Sequence, residues 1–119
     1  MRTLIDANIG IRYLVGDSAE LTPKAEGIIA SRPHLLTEVL CEMVYVLEGF
    51  YHATRVELRE TLTRFLDMVE SENPALLREA LSLYAEHVKL DFVDCILLAR
   101  HRIDGDEVAT FDKPLAAKL

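Results

Sequence analysis

Apolar residues recur along the chain in two rhythms, short runs and longer periodic stretches. Leu4 and Ile5 close a run over residues 2–5, and Leu35 and Leu36 belong to another over 34–36; both read as short strands. Elsewhere the spacing is helical. Residues 8–15 predict a helix that Gly16-Asp17 closes. Thr22-Pro23 opens a second, with a hydroxyl N-cap and proline at the first helical position. Ala25, Ile28 and Ile29 share one side of it, and it stops near Arg32-Pro33. From Thr37 to about Phe50, the positions Val39, Leu40, Met43, Val46 and Leu47 recur at helical intervals. Thr54 and Glu57 form a T-x-x-E capping box ahead of Leu58, Leu62, Phe65, Leu66 and Val69. Pro74 starts a helix through Leu77, Ala80, Leu81 and Tyr84, and another spans about 91–101 before Asp104-Gly105 turns the chain. Residues 107–111 read as a last strand, and Asp112-Lys113-Pro114 starts a short terminal helix.

Strands separated by helices, without hairpin alternation, predict an α/β fold: a three-layer domain in which helices flank a small parallel sheet. Half of the 119 residues are hydrophobic, enough for one core and too few for two, so residues 1–119 are expected to form a single domain. Right-handed crossovers align the strands' C-terminal ends along one edge, and ligands of such sheets bind outside that edge.

The formal charge of −7 argues against a protein that grips nucleic acid through an overall positive field. Charges interrupt every apolar stretch before the roughly 20 residues that a membrane span requires. No basic-then-apolar leader opens the chain, so a cytoplasmic location is expected. Cys41 and Cys95 form no CxxC pair and sit in apolar, helix-like segments, as buried small hydrophobes do.

The acids change the picture. Asp6 ends the first strand and Asp112 the last. Glu38 and Glu42, one helical turn apart, follow the second strand on one helix face. Asp91 and Asp94 open the helix that leads to the last strand. Four elements therefore bring carboxylates to one sheet edge. Capping accounts for Asp6, Asp91 and Asp112 one at a time, and solvation accounts for Glu38. It leaves open why the caps converge with only Lys89 and Lys113 close by in sequence. Crowded carboxylates repel, and some take up protons unless a cation is present. Hard divalent ions such as Mg²⁺ take oxygen ligands, and His34, His52, His87 and His101 offer no zinc-like spacing.

Four stretches, "LIDANI", "LTEVLCEMVYVLE", "LDFVDCILLA" and "VATFDKPL", resemble in order and spacing the four acidic motifs of PIN domains. The likeness is nearest to VapC-type toxins of prokaryotic toxin–antitoxin pairs. Position by position, the resemblance places the family's acids on Asp6, Glu42, Asp94 and Asp112, as both catalytic residues and metal ligands. Asn8, Glu38, Asp91 and Thr110 then stand around them. It implies a Mg²⁺- or Mn²⁺-dependent ribonuclease in which metal-activated water attacks the RNA phosphate. It also implies a homodimer and a protein antitoxin as partner, with no membrane. Two departures stand out. "ESENPALL" offers little room for the strand PIN domains carry there, and the chain ends seven residues after Asp112. A smaller sheet, or an edge finished by a partner chain, is therefore expected.

Arg12, Arg32, Arg55, Lys89 and Lys113 are the candidates for RNA contact. Three other readings compete. Haloacid-dehalogenase-like phosphatases want D-x-D where this chain has Asp6-Ala7-Asn8. Receiver-like domains want paired acids at the first strand. A PIN-like scaffold that only binds a partner would not need all four acids.

Overall fold

The structure, a computed structural model, describes residues Met1–Leu119 and holds seven helices. It divides into two compact units, Met1–Glu72 and Asn73–Leu119.

The first unit contains α1 (Ala7–Val15), α2 (Leu21–Ala30), α3 (Thr37–Gly49) and α4 (Arg55–Met68). The expected strands shrink to single bridges. Leu4 pairs in parallel with His34, and His34 pairs in parallel with Glu70. The His34 N–H donates to Thr3 O at 2.7 Å, the Leu35 N–H to Glu70 O at 2.8 Å, and the Glu70 N–H to Pro33 O at 2.9 Å. At "ESENPALL" the chain contributes this single bridge through Glu70 and no strand. Single bridges suffice because helices start almost at once, α1 at Ala7 and α3 at Thr37.

Local chemistry explains most boundaries. Gly16 closes α1 at φ 66°, a left-handed conformation open to glycine, and its N–H donates to Arg12 O. α2 begins one residue before Thr22, not at an N-cap there: Ser18 Oγ accepts from the Leu21 N–H, and Thr22 Oγ accepts from the Ser18 N–H. Pro23 still lies in the first turn, where its missing N–H costs nothing. After α2, Arg32 adopts φ 52° although it is not glycine. Its guanidinium reaches the end of α4, donating to Asp67 O at 2.8 Å and Glu70 Oε1 at 3.0 Å.

The Thr54–Glu57 capping box is present in both directions. Hydrogen bonds from the Thr54 backbone and side chain hold the Glu57 carboxyl below its ordinary value of 4.5. A depressed carboxyl stabilises the fold above its unfolded value, and that contribution fades as pH falls through the folded one. Thr54→Ala is expected to cost about 1 kcal/mol at neutral pH, lowering Tm by roughly 4–8 °C. Thermal scans across pH should show the gap narrowing in acid.

Helix packing in this unit is close. α1 lies against α2 and α3, and α3 lies against α4. Ile11, Ile29, Leu35, Leu40, Met43, Leu58, Leu62 and Phe65 form its core. The Tyr13 and Phe65 ring centroids lie 5.9 Å apart. Gly10 lets α1 approach: a Cβ there would stand 2.5 Å from Met43 Cε.

The second unit packs α5 (Pro74–Glu86) against α6 (Phe92–Asp104) and ends with α7 (Lys113–Ala116). Asn73 caps α5 ahead of Pro74, and Gly105 ends α6 at φ 74°. Leu76, Leu77, Ala80, Leu81, Tyr84, Phe92, Leu98 and Leu115 are buried. Cys95 is fully buried as expected; Cys41 is only half-buried, and neither forms a disulfide. The strand expected over residues 107–111 is not formed. That stretch carries no bridge, and Phe111 is fully exposed. "VATF" has strand-like residue types, but strand residues form a strand only against a partner edge.

Candidate active site

In the first unit, Asp6 follows the Leu4 bridge and Glu38 lies two residues into α3, which leaves the His34 bridge. Because that bridge is parallel, the two acids depart toward the same edge. Asp6 is exposed although it follows buried Ile5, because it caps α1: its Oδ1 accepts the Ile9 N–H at 3.1 Å. Asn8 is exposed in the first turn of that helix. Glu38 and Glu42 line the exposed face of α3, while neighbouring Met43 and Val44 are buried. The apolar setting of Glu42 in the sequence is therefore the opposite side of its helix.

In the second unit, Asp91 and Asp112 lie near enough to Asp94 for their charges to act on it. Asp91 and Asp94 form a reciprocal capping box at the start of α6: Asp91 Oδ1 accepts the Asp94 N–H at 2.8 Å, and Asp94 Oδ2 accepts the Asp91 N–H at 3.2 Å. Asp112 caps α7, accepting the Leu115 N–H at 3.1 Å, and its own N–H donates to Thr110 Oγ at 3.0 Å. Thr110 thus holds Asp112 in place. Burial raises the Asp94 carboxyl above its ordinary value of 3.8, and the negative charges of Asp91 and Asp112 push the same way against the Asp91 N–H.

Each capping aspartate commits one oxygen to the backbone. The second oxygens of Asp6, Asp94 and Asp112 accept no hydrogen bond. Capping and ligation are therefore compatible in one side chain. No three His, Cys, Asp or Glu side chains stand close enough together to hold a metal ion as they are arranged. The charge around Asp94 still suits a hard cation, since its neighbours Asp91 and Asp112 add negative charge beside it.

The basic candidates separate by unit. Arg12 pairs with Asp17 at 3.2 Å and Arg32 with Glu70 at 3.0 Å, so both serve the scaffold. Lys89 and Lys113 line a cavity in the second unit together with Lys118, which sequence reasoning passed over. Its signal was a second lysine five residues after Lys113.

Two single parallel bridges lead into α1 and α3, with Asp6 and Glu38 where the chain leaves them. The sequence profile of the PIN domain matches residues 3–118, and the chain belongs to the PIN domain family. PIN domains are typically nucleases that act on nucleic acids and commonly use divalent metals. Comparison with curated proteins and with solved structures gives no match. No helix is long and apolar enough to cross a membrane.

Proposed function

We propose that the chain is a metal-dependent endoribonuclease, the toxin of a VapBC-type toxin–antitoxin pair, which acts as a homodimer restrained by a protein antitoxin. The observation that supports it best is the grouping of Asp91, Asp94 and Asp112 at two helix starts within a PIN domain, where burial and the neighbouring charges raise the Asp94 carboxyl above its ordinary value. A structural cap gains nothing from such crowding; a cation ligand does.

By the family's motifs, Asp6 and Glu42 of the first unit and Asp94 and Asp112 of the second are the residues we assign as ligands for Mg²⁺ or Mn²⁺. What the ion supplies is positive charge on the phosphate and a water acidic enough to attack it. The chain's own residues do the positioning. Backbone N–H groups fix one oxygen each of Asp6, Asp94 and Asp112, which leaves the other oriented with little rotamer freedom. Thr110 restrains the backbone of Asp112. Asp91 adds negative charge beside Asp94, Glu38 lies one helical turn before Glu42, and Asn8 lies two residues after Asp6.

The purified protein is expected to cut a mixed structured RNA pool with Mg²⁺ or Mn²⁺ and to stop with EDTA. Metal at a hundred times its Kd should add about 2.7 kcal/mol of stability, a Tm rise of roughly 10 °C. Absence of both cutting and thermal shift would overturn the assignment and favour a PIN domain that only binds a partner.

A further inference from the structure

The chain is acidic and has four lysines, yet three of them, Lys89, Lys113 and Lys118, line one cavity of about 540 Å³ in the second unit. None of the three makes an ion pair or a hydrogen bond through its side chain, although acidic residues outnumber basic ones overall, 20 to 13. His87 lines the cavity too, and Leu90 and Pro114 supply apolar wall. Three ammonium groups around one space repel each other. The arrangement is relieved by an anion that enters it.

The position narrows which anion. Leu90 is followed directly by Asp91, and Lys113 is preceded directly by Asp112, so the Cα atoms of wall and acid are about 3.8 Å apart on both sides. The cavity therefore adjoins the carboxylates that surround Asp94. Resting on the nuclease reading above, we propose that this cavity seats the backbone of single-stranded RNA next to the bond that is cut, each lysine neutralising one phosphate. Lys89, Lys113 and Lys118 anchor the strand there, and the carboxylates address the neighbouring phosphate. It also answers how a chain of net charge −7 holds a polyanion: the positive charge is local.

The test is binding of a fluorescently labelled single-stranded oligoribonucleotide to the full chain carrying Asp94→Asn, which removes cleavage, followed by anisotropy at several salt concentrations. Three neutralised phosphates predict a roughly twentyfold loss of affinity between 50 and 200 mM salt. Lys89→Ala, Lys113→Ala and Lys118→Ala should each flatten the log–log slope by about 0.7, and the triple variant should abolish most of the dependence. These lysines are exposed, so folding is expected to survive; circular dichroism checks it. RNA binding with the same slope in the triple variant would overturn the proposal while leaving the nuclease reading intact. So would a poly-glutamate chain displacing RNA at equal charge, which would make the cavity a dock for acidic protein. If the unsubstituted chain neither cuts nor binds RNA, the nuclease reading fails and the proposal falls with it.

Discussion

Asp94→Asn is expected to abolish RNA cleavage and raise the melting temperature at once. Active-site residues held in unfavourable surroundings leave this signature when neutralised. The amide keeps the capping box, since its oxygen still accepts the Asp91 N–H, while the charge beside Asp91 and Asp112 disappears. A relieved like-charge contact is worth about 0.5 kcal/mol, so Tm should climb by roughly 2–4 °C at neutral pH. The sign follows from the direction of the shift. A raised carboxyl means that the folded chain binds its proton more tightly than the unfolded one. Stability therefore falls as pH rises past 3.8, and the penalty is complete above the folded value. The gain from Asn should accordingly be largest at neutral pH and shrink in acid. Cleavage should drop by at least about 100-fold, and the thermal shift on adding Mg²⁺ should vanish. A substituted protein that is less stable and still cuts would make Asp94 a cap and nothing more.

Gly10→Val should be the most damaging single change to the scaffold. A Cβ at this position would lie 2.5 Å from Met43 Cε, 2.7 Å from its Sδ and 3.5 Å from Phe65 Cζ. Met43 is flexible but has no exposed surface, so its retreat displaces other core atoms. Overpacking of this kind costs about 3 kcal/mol, which lowers Tm by roughly 10–20 °C. Adding Met43→Ala should return part of that loss, a non-additive cycle that ties the damage to this contact. An unchanged Tm in the single variant would mean that α1 does not approach α3 this closely.

The helices were legible because their signals are local. The T-x-x-E box at Thr54, Pro74 behind Asn73 and Gly16 at a left-handed turn each fix a boundary within one turn. Where two local signals competed, as Ser18 and Thr22 did at the start of α2, the hydroxyl farther upstream made the bond to the Leu21 N–H. Strands were poorly legible because pairing is made by distant residues. His34 bridges Glu70, in a stretch with no apolar alternation, while the residues at 107–111 have strand chemistry and no partner. For the candidate site, the sequence indicated which acids follow which elements, and capping put Asp6, Asp91 and Asp112 at helix starts as expected. It did not indicate that Glu42 faces solvent, because burial on a helix depends on which face meets a neighbour. Nor did it separate Arg32, tied to α4, from lysines left without a partner.

The double duty of the capping aspartates shapes how this protein would decay over generations. A lineage that no longer needs catalysis cannot discard Asp6 or Asp112 freely, because each also fastens a helix start. Glu42 fastens nothing, and a neutral residue at Asp94 relieves crowding. Degenerate copies should therefore lose Glu42 and Asp94 early while keeping Asp6 and Asp112, and would still look intact to an inspection of their first and last acids alone.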